Sequence, residues 1–183
     1  MRRRVKEHYF ALENNLWRVE GFPEPKTTYI SLADATHRHS LGMISCNEVK
    51  ATVPRRINHL LVNRCQNVTL RLRDGLISTA ELVNATSVRL EVWGPVPVIQ
   101  IDMCRDVLVV FKEGQKPPKT VIVNASNANV SVQVGEQPAQ QLQTDLLGEQ
   151  FVSHWSEEDG RWDSVRASHL KEKEGGYLLI SQL

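Results

Sequence analysis

Three cysteines, six histidines and a dispersed set of carboxylates are the residues here equipped for chemistry, and their spacing argues against most of it. Cys46, Cys65 and Cys104 stand at least 19 residues apart (65 − 46 = 19), whereas zinc ligands usually come in close sequence pairs. Inward packing is the expectation for all three. His37-Arg38-His39 sets two imidazoles on one side of an extended segment, but no third ligand accompanies them, and His8, His59, His154 and His169 are scattered. The glycosylation-acceptor pattern at Asn67, Asn84, Asn124 and Asn129 is better explained by turn chemistry. No nucleophile elbow, phosphate loop, dinucleotide fingerprint or zincin motif occurs, and Gly175-Gly176 is no phosphate cradle. The expectation is a non-enzyme with no metal and no cofactor.

Composition narrows the partners. Lys and Arg number 22 against 21 Asp and Glu, a net charge of +1, which removes the chain-wide electrostatic case for nucleic acid or an anionic membrane. Apolar runs such as 107–111 fall far short of the ~20 residues a membrane-spanning helix needs. The basic start Met1-Arg2-Arg3-Arg4 has no apolar stretch behind it, so it does not read as a secretory signal. A cytoplasmic location with reduced cysteines is expected.

What positions these residues is a repeat. Val62-Asn63-Arg64-Cys65, Ile101-Asp102-Met103-Cys104, Val83-Asn84-Ala85-Thr86 and Val123-Asn124-Ala125-Ser126 share a branched aliphatic, an Asn or Asp and a small residue, each before a valine-led segment. The leading valines stand at 49, 68, 88, 107 and 130, a period of about twenty residues. Behind each, apolar residues alternate, as in Val68, Leu70, Leu72 and Val88, Leu90, Val92; period two means strand. Turn signals such as Arg73-Asp74-Gly75 and Gly94-Pro95 leave two short strands per repeat. An antiparallel meander is the competing arrangement, but an identical turn at one phase of every copy is what in-register stacking requires. The fold class is therefore all-β, a right-handed parallel β-helix of about six coils.

Stacking at about 4.8 Å per coil aligns Cys46, Cys65 and Cys104 in one inward column, with Thr86 and Ser126 expected at that phase in the other coils. A Cys46–Cys65 disulfide is sterically conceivable there but unexpected in a reducing compartment. Two outward columns follow: Lys50, Thr69, Arg89, Leu108, Ser131 and Thr52, Arg71, Glu91, Val110, Gln133. Arg71 and Glu91 are expected to be lateral neighbours. Outward Leu108 and Val110 imply a covering strand from this chain or a partner. A short hairpin is expected around Glu13-Asn14-Asn15, a helical turn or extended segment over 146–153, an edge strand over 160–168, a solvated linker over 171–176 and an apolar docking segment at 177–180. The domain is taken as residues 1–168, with 169–183 a charged linker and tail.

At these repeats the sequence resembles the carboxy-terminal domain of the adenylyl cyclase-associated proteins. Glu13-Asn14-Asn15-Leu16-Trp17-Arg18-Val19-Glu20 resembles that family's first strand with its Trp-Arg-Val-Glu. Ile57-Asn58 through Asn63-Arg64-Cys65 is similar to its Ile-Asn-Ser-Ile-Thr-Val-Asp-Asn-Cys turn, and Val92-Trp93-Gly94-Pro95-Val96-Pro97-Val98-Ile99 to its Val-Met-Gly-Lys-Val-Pro-Thr-Ile. Glu149-Gln150-Phe151 with Trp155 resembles its closing segment, so the likeness runs from about 10 to 168.

The resemblance implies a cytoskeletal protein that binds monomeric actin, ADP-bound by preference, and promotes exchange of the actin-bound nucleotide without a covalent step. Pure monomer sequestration is the alternative; a tubulin-cofactor-C-like GTPase activator, with Arg71 or Arg89 as arginine finger, is the alternative of another class. It implies an actin surface on Asn63, Arg64, Gln66, Arg71, Arg73, Arg89 and Glu91. It further implies a homodimer exchanging a carboxy-terminal hairpin, through Trp162, Ser164, Val165, Arg166 and Ala167. Gln66-Asn67 stands where the family has a basic pair, and Arg73-Asp74 where it has an acidic one.

Overall fold

The Asn14-Asn15 turn places both residues in the left-handed region (φ 47° and 66°), the geometry of a two-residue hairpin turn, and joins β1 (Tyr9–Glu13) to β2 (Leu16–Glu20) antiparallel. This is a computed structural model, and it describes residues 9–22, 27–112, 119–125, 128–144 and 149–169.

After the hairpin the chain crosses between two sheets at every half-coil. One receives β2, β4 (Ser40–Ile44), β6 (His59–Asn63), β8 (Thr79–Val83), β10 (Val98–Asp102) and β12 (Val121–Ala125). The other receives β3 (Thr28–Ser31), β5 (Val49–Val53), β7 (Gln66–Leu72), β9 (Thr86–Val92), β11 (Arg105–Phe111) and β13 (Val130–Val134). Every neighbour in these two series pairs in parallel. Six coils of a parallel β-helix result.

Alternation decides the faces. Val68, Leu70 and Leu72 stack on Val88, Leu90 and Val92 inside, all 0–1% exposed, opposite Leu60, Val62, Ala80 and Leu82 at 0%. At ~25 cal/mol per Å² of apolar surface buried, this stacked aliphatic interior is the main stabilising contribution. The fully buried aromatic rings, Phe111 and Phe151, lie toward the carboxy end.

The register corrects one detail. Cys65 lies between the Cys46 and Ala85 rungs, because the Gln66 amide donates to the Cys46 carbonyl and the Thr86 amide to the Cys65 carbonyl. Cys104 follows Ala85 through the Arg105 amide, and the Asn129 amide on the Cys104 carbonyl puts Ala128 next. The column is thus Cys46, Cys65, Ala85, Cys104, Ala128. Thr86 is not in it, and Ser126 lies outside the described residues. The third copy of the motif slides by one, Asn63 pairing with Val83 rather than Asn84. The reason is the corner: each coil bends through two left-handed residues, Ser45, Arg64, Asn84 or Met103 and then Glu48, Asn67, Ser87 or Asp106, at φ 48–55°.

The opposite turns are tight. A Cβ on Gly94 would lie 2.2 Å from the Asp74 carbonyl carbon, and one on Gly75 (φ 77°) 2.1 Å from the Pro95 oxygen; neighbouring coils meet there backbone to backbone.

At the carboxy end the direction reverses. β14 (Gln140–Gln141) runs antiparallel to β13, while β15 (Phe151–Ser156) and β16 (Arg161–Arg166) form a hairpin on β12. The segment expected as helical turn or extended is thus a strand from 151, with 145–148 outside the described residues. The edge strand expected over 160–168 is β16, followed by the 3-10 turn Ala167–His169. Trp162 stacks on Phe111 at 5.6 Å, and Trp155 meets Trp162 edge-on. The Gln140 side-chain amide donates to the Trp162 carbonyl (2.7 Å) and accepts from its N–H (2.8 Å), tying the two sheet edges together. The linker and apolar segment expected beyond 170 lie outside the described residues.

Candidate functional site

Outward positions of the valine-led sheet carry its charge. Register places Tyr29, Lys50, Thr69, Arg89, Leu108 and Ser131 in one row and Ser31, Thr52, Arg71, Glu91, Val110 and Gln133 in the next, as the period requires.

Glu91 is the hub. Arg89 Nε donates to its Oε1 at 2.8 Å, Arg71 Nε to its Oε2 at 3.1 Å, and Lys112 Nζ stands 4.0 Å away. The Glu91 side chain is 9% exposed against 35–44% for the three cations, so Arg71 and Glu91 are the lateral neighbours expected, but the carboxylate is sunk beneath its partners rather than open on the outward row. Burial pushes the Glu91 carboxyl up, but Arg89, Lys112 and Arg71 together outweigh it and hold it below the usual carboxylate range.

A third row begins just past the strand ends. Arg73, Trp93 and Lys112 succeed one another coil by coil, each backbone amide bonded to the coil before. The Arg73 guanidinium lies 4.1 Å from the Trp93 ring centroid and Lys112 Nζ 5.6 Å, both within cation–π range. Arg71, Arg89 and Lys112 therefore surround one carboxylate, with Arg73 held beside them on Trp93, a net positive and oriented surface.

Of the seven residues expected in the binding surface, this face unites Arg71, Arg73, Arg89 and Glu91. The other three lie apart. Arg64 sits exposed at the corner and Gln66 exposed where it opens β7, and Asn63 faces outward on the other sheet, its Oδ1 buried without a partner. Tyr29, Lys50, Trp93 and Lys112 were not in the expected set, though the spacing 73, 93, 112 follows the coil period and is the signal for the last two. Val110 is 1% exposed and Leu108 half-buried, so the former outward valine is covered.

The remaining expected residues are engaged within the chain. Trp162 is 3% exposed in the end cap, Ser164 Oγ is 2.8 Å from Ser153 Oγ, and Arg166 pairs with Glu149 at 3.2 Å. Val165 opposes Val152 on the hairpin, and the Ala167 amide donates to the Gln150 carbonyl. The buried cysteines hold no metal cluster: among the described residues no three His, Cys, Asp or Glu gather. The Cys65 thiol is pushed up by its hydrogen bond to Cys46 and by burial, and burial raises Cys104, so both are protonated at neutral pH. His39 Nδ1 accepts from the Thr36 amide (3.1 Å) and Trp17 Nε1 (3.4 Å).

Residues 6–169 match the family described as "Adenylate cyclase associated (CAP) C terminal". Curated relatives include adenylyl cyclase-associated protein from Hydra viridissima, 22% identical over 82% of this chain and 30% of its own length. Another is that from Dictyostelium discoideum, 24% identical over 67% and 26%. The chain spans less than a third of the length of these relatives. Among solved structures, the cyclase-associated protein from Cryptosporidium parvum superposes with a TM-score of 0.65, covering 88% of this chain and 96% of that one at 20% identity; the fold is shared.

Proposed function

The chain belongs to the adenylyl cyclase-associated protein carboxy-terminal family, and from that premise we propose that it binds monomeric actin through the outward face of its valine-led sheet. The ADP-bound monomer is the preferred partner, and binding promotes exchange of its nucleotide by favouring the open state of actin, with no bond made or broken in this protein. The setting is the cytoplasmic actin cytoskeleton, and the acting unit is a domain of residues 1–168. A homodimer made by exchange of the β15–β16 hairpin belongs to the same reading.

The observation that carries the proposal is the Arg71–Arg89–Glu91–Lys112 cluster. Interfaces take most of their energy from a few Arg, Trp and Tyr anchors, and side chains already held in place lose less freedom on binding. Here Glu91 and Trp93 fix the guanidiniums before a partner arrives. A flat face with anchored cations suits a protein surface rather than a small molecule. The departure at Gln66-Asn67 favours a second reading, sequestration without exchange, because the corner lacks the family's basic pair.

Purified chain mixed with actin monomers carrying etheno-ADP or unlabelled ADP separates these. Faster nucleotide release supports exchange; tight binding without acceleration supports sequestration. Absence of binding ends the actin proposal. Replacing Arg71 and Arg89 together by Ala is expected to weaken monomer binding by about 1–3 kcal/mol, read by titration of labelled actin.

A further inference from the structure

We propose that a hollow on the same sheet face, between β3, β5 and β7, receives a carboxylate side chain from an acidic segment of the protein partner. It has a volume of about 280 Å³ and is lined by Tyr29, Lys50, Thr52, Thr69 and Arg71. The inference deepens the actin proposal and rests on it, by naming the chemistry that docks beside the Glu91 cluster.

Register makes the hollow. Tyr29 pairs with Lys50, Lys50 with Thr69, and Thr52 with Arg71, so two short threonines lie diagonally between three long side chains. Their brevity leaves the floor low and their hydroxyls line it. Tyr29 is 74% exposed, the largest exposure of any large hydrophobic residue described. Lys50 Nζ lies 5.7 Å from its ring centroid, and Lys50 has no acidic partner among the described residues. Arg71 gives Nε to Glu91; its other guanidinium N–H groups have no acceptor there. The hollow therefore presents an unpaired ammonium, half of a guanidinium fork and hydroxyl donors, with no carboxylate of its own.

That set lacks a negative charge, and a partner's Asp or Glu supplies it. Arg71 would then bridge two carboxylates, Glu91 within the chain and one across the interface. An exposed tyrosine over the rim fits a protein contact, being rigid and amphipathic. A phosphate polymer is disfavoured: the whole chain carries only +1, and the adjoining Glu91 opposes a dense anion.

The test uses the full chain and actin monomers at about 50 and 200 mM salt, with variants Lys50→Glu, Lys50→Arg, Tyr29→Ser and, as a marker of the face, Arg89→Ala. Circular dichroism melts check that each variant is folded. Lys50→Glu is expected to weaken binding about tenfold or more and flatten its salt dependence, Lys50→Arg to hold within about threefold, and Tyr29→Ser to lose severalfold. If Arg89→Ala weakens binding while Lys50→Glu and Tyr29→Ser leave it unchanged, the hollow is not a contact although the actin proposal stands. Equal loss in Lys50→Glu and Lys50→Arg overturns the carboxylate assignment. If the wild-type chain does not bind actin, both proposals fall. Binding of single-stranded oligo(dT) as tight as that of actin, abolished by Lys50→Glu, assigns the hollow to phosphate instead.

Discussion

A single carboxylate decides how the cationic face is presented. Glu91 is nearly buried yet held ionised by Arg89, Lys112 and Arg71. A group whose folded value is depressed contributes stability above its unfolded value and loses it as pH falls through the folded one. Wild-type stability is therefore expected to drop between about pH 5 and pH 3 by an amount that Glu91→Gln does not share. At pH 7 that variant should cost about 1–2 kcal/mol, since two charge-assisted hydrogen bonds weaken. Thermal melts across the pH range check this; a gap between the two proteins that persists undiminished at pH 3 would contradict it. Glycines sort by the same local logic. Gly94→Ala drives a Cβ into the Asp74 backbone at 2.2 Å and should cost about 3 kcal/mol. Gly42→Ala meets only Leu16 Cδ1, at 3.5 Å, and should stabilise by about 0.5–1 kcal/mol. Denaturant titration of the pair distinguishes them, and equal effects would refute the contact argument.

Among elements, the clasp formed by Gln140 protects an edge. β16 is the outermost strand of its sheet among the described residues, and an unpaired edge invites another chain. The Gln140 amide occupies both outward backbone groups of Trp162. Gln140→Leu should lose about 1–2 kcal/mol and raise the fraction of species larger than the dimer in light scattering; a profile identical to wild type would show that the clasp does not guard the edge. Much of this level was legible in the sequence. Period two inside period twenty placed the five valine-led strands β5, β7, β9, β11 and β13 and the outward rows on them, because in a stacked coil one phase settles every neighbour; β3, which no valine leads, was not among them. The slip at Asn84 was not legible, since Asn-Ala-Thr mimics the turn one residue away. Nor were the left-handed corners: Arg64, Met103 and Glu48 are not residue types that seek positive φ, and the coil imposes it on them. Trp93 and Lys112 escaped notice because they lie beyond the alternating runs. The split of Asn63, Arg64 and Gln66 from the Arg71 cluster needed the corner itself.

For the molecule as a whole, near neutrality hides a segregated surface. Among the described residues, the outward rows of the valine-led strands hold Lys50, Arg71 and Arg89 with one acid, Glu91, and Asp106 lies aside at the corner that opens β11. Such a face steers an acidic partner locally although the net charge gives no long-range pull. Each coil touches only the next, so its ends govern how it comes apart. They differ: Phe10 and Leu12, on the interior side of the first hairpin, are 44% and 43% exposed, whereas Trp162 closes the other end at 3%. Under tension the protein is expected to behave as a directional material. Pulled from its amino end it is expected to peel coil by coil, like tape, at lower force than from its carboxy end, where the tryptophan cap must give way first; equal rupture forces in optical tweezers would contradict this.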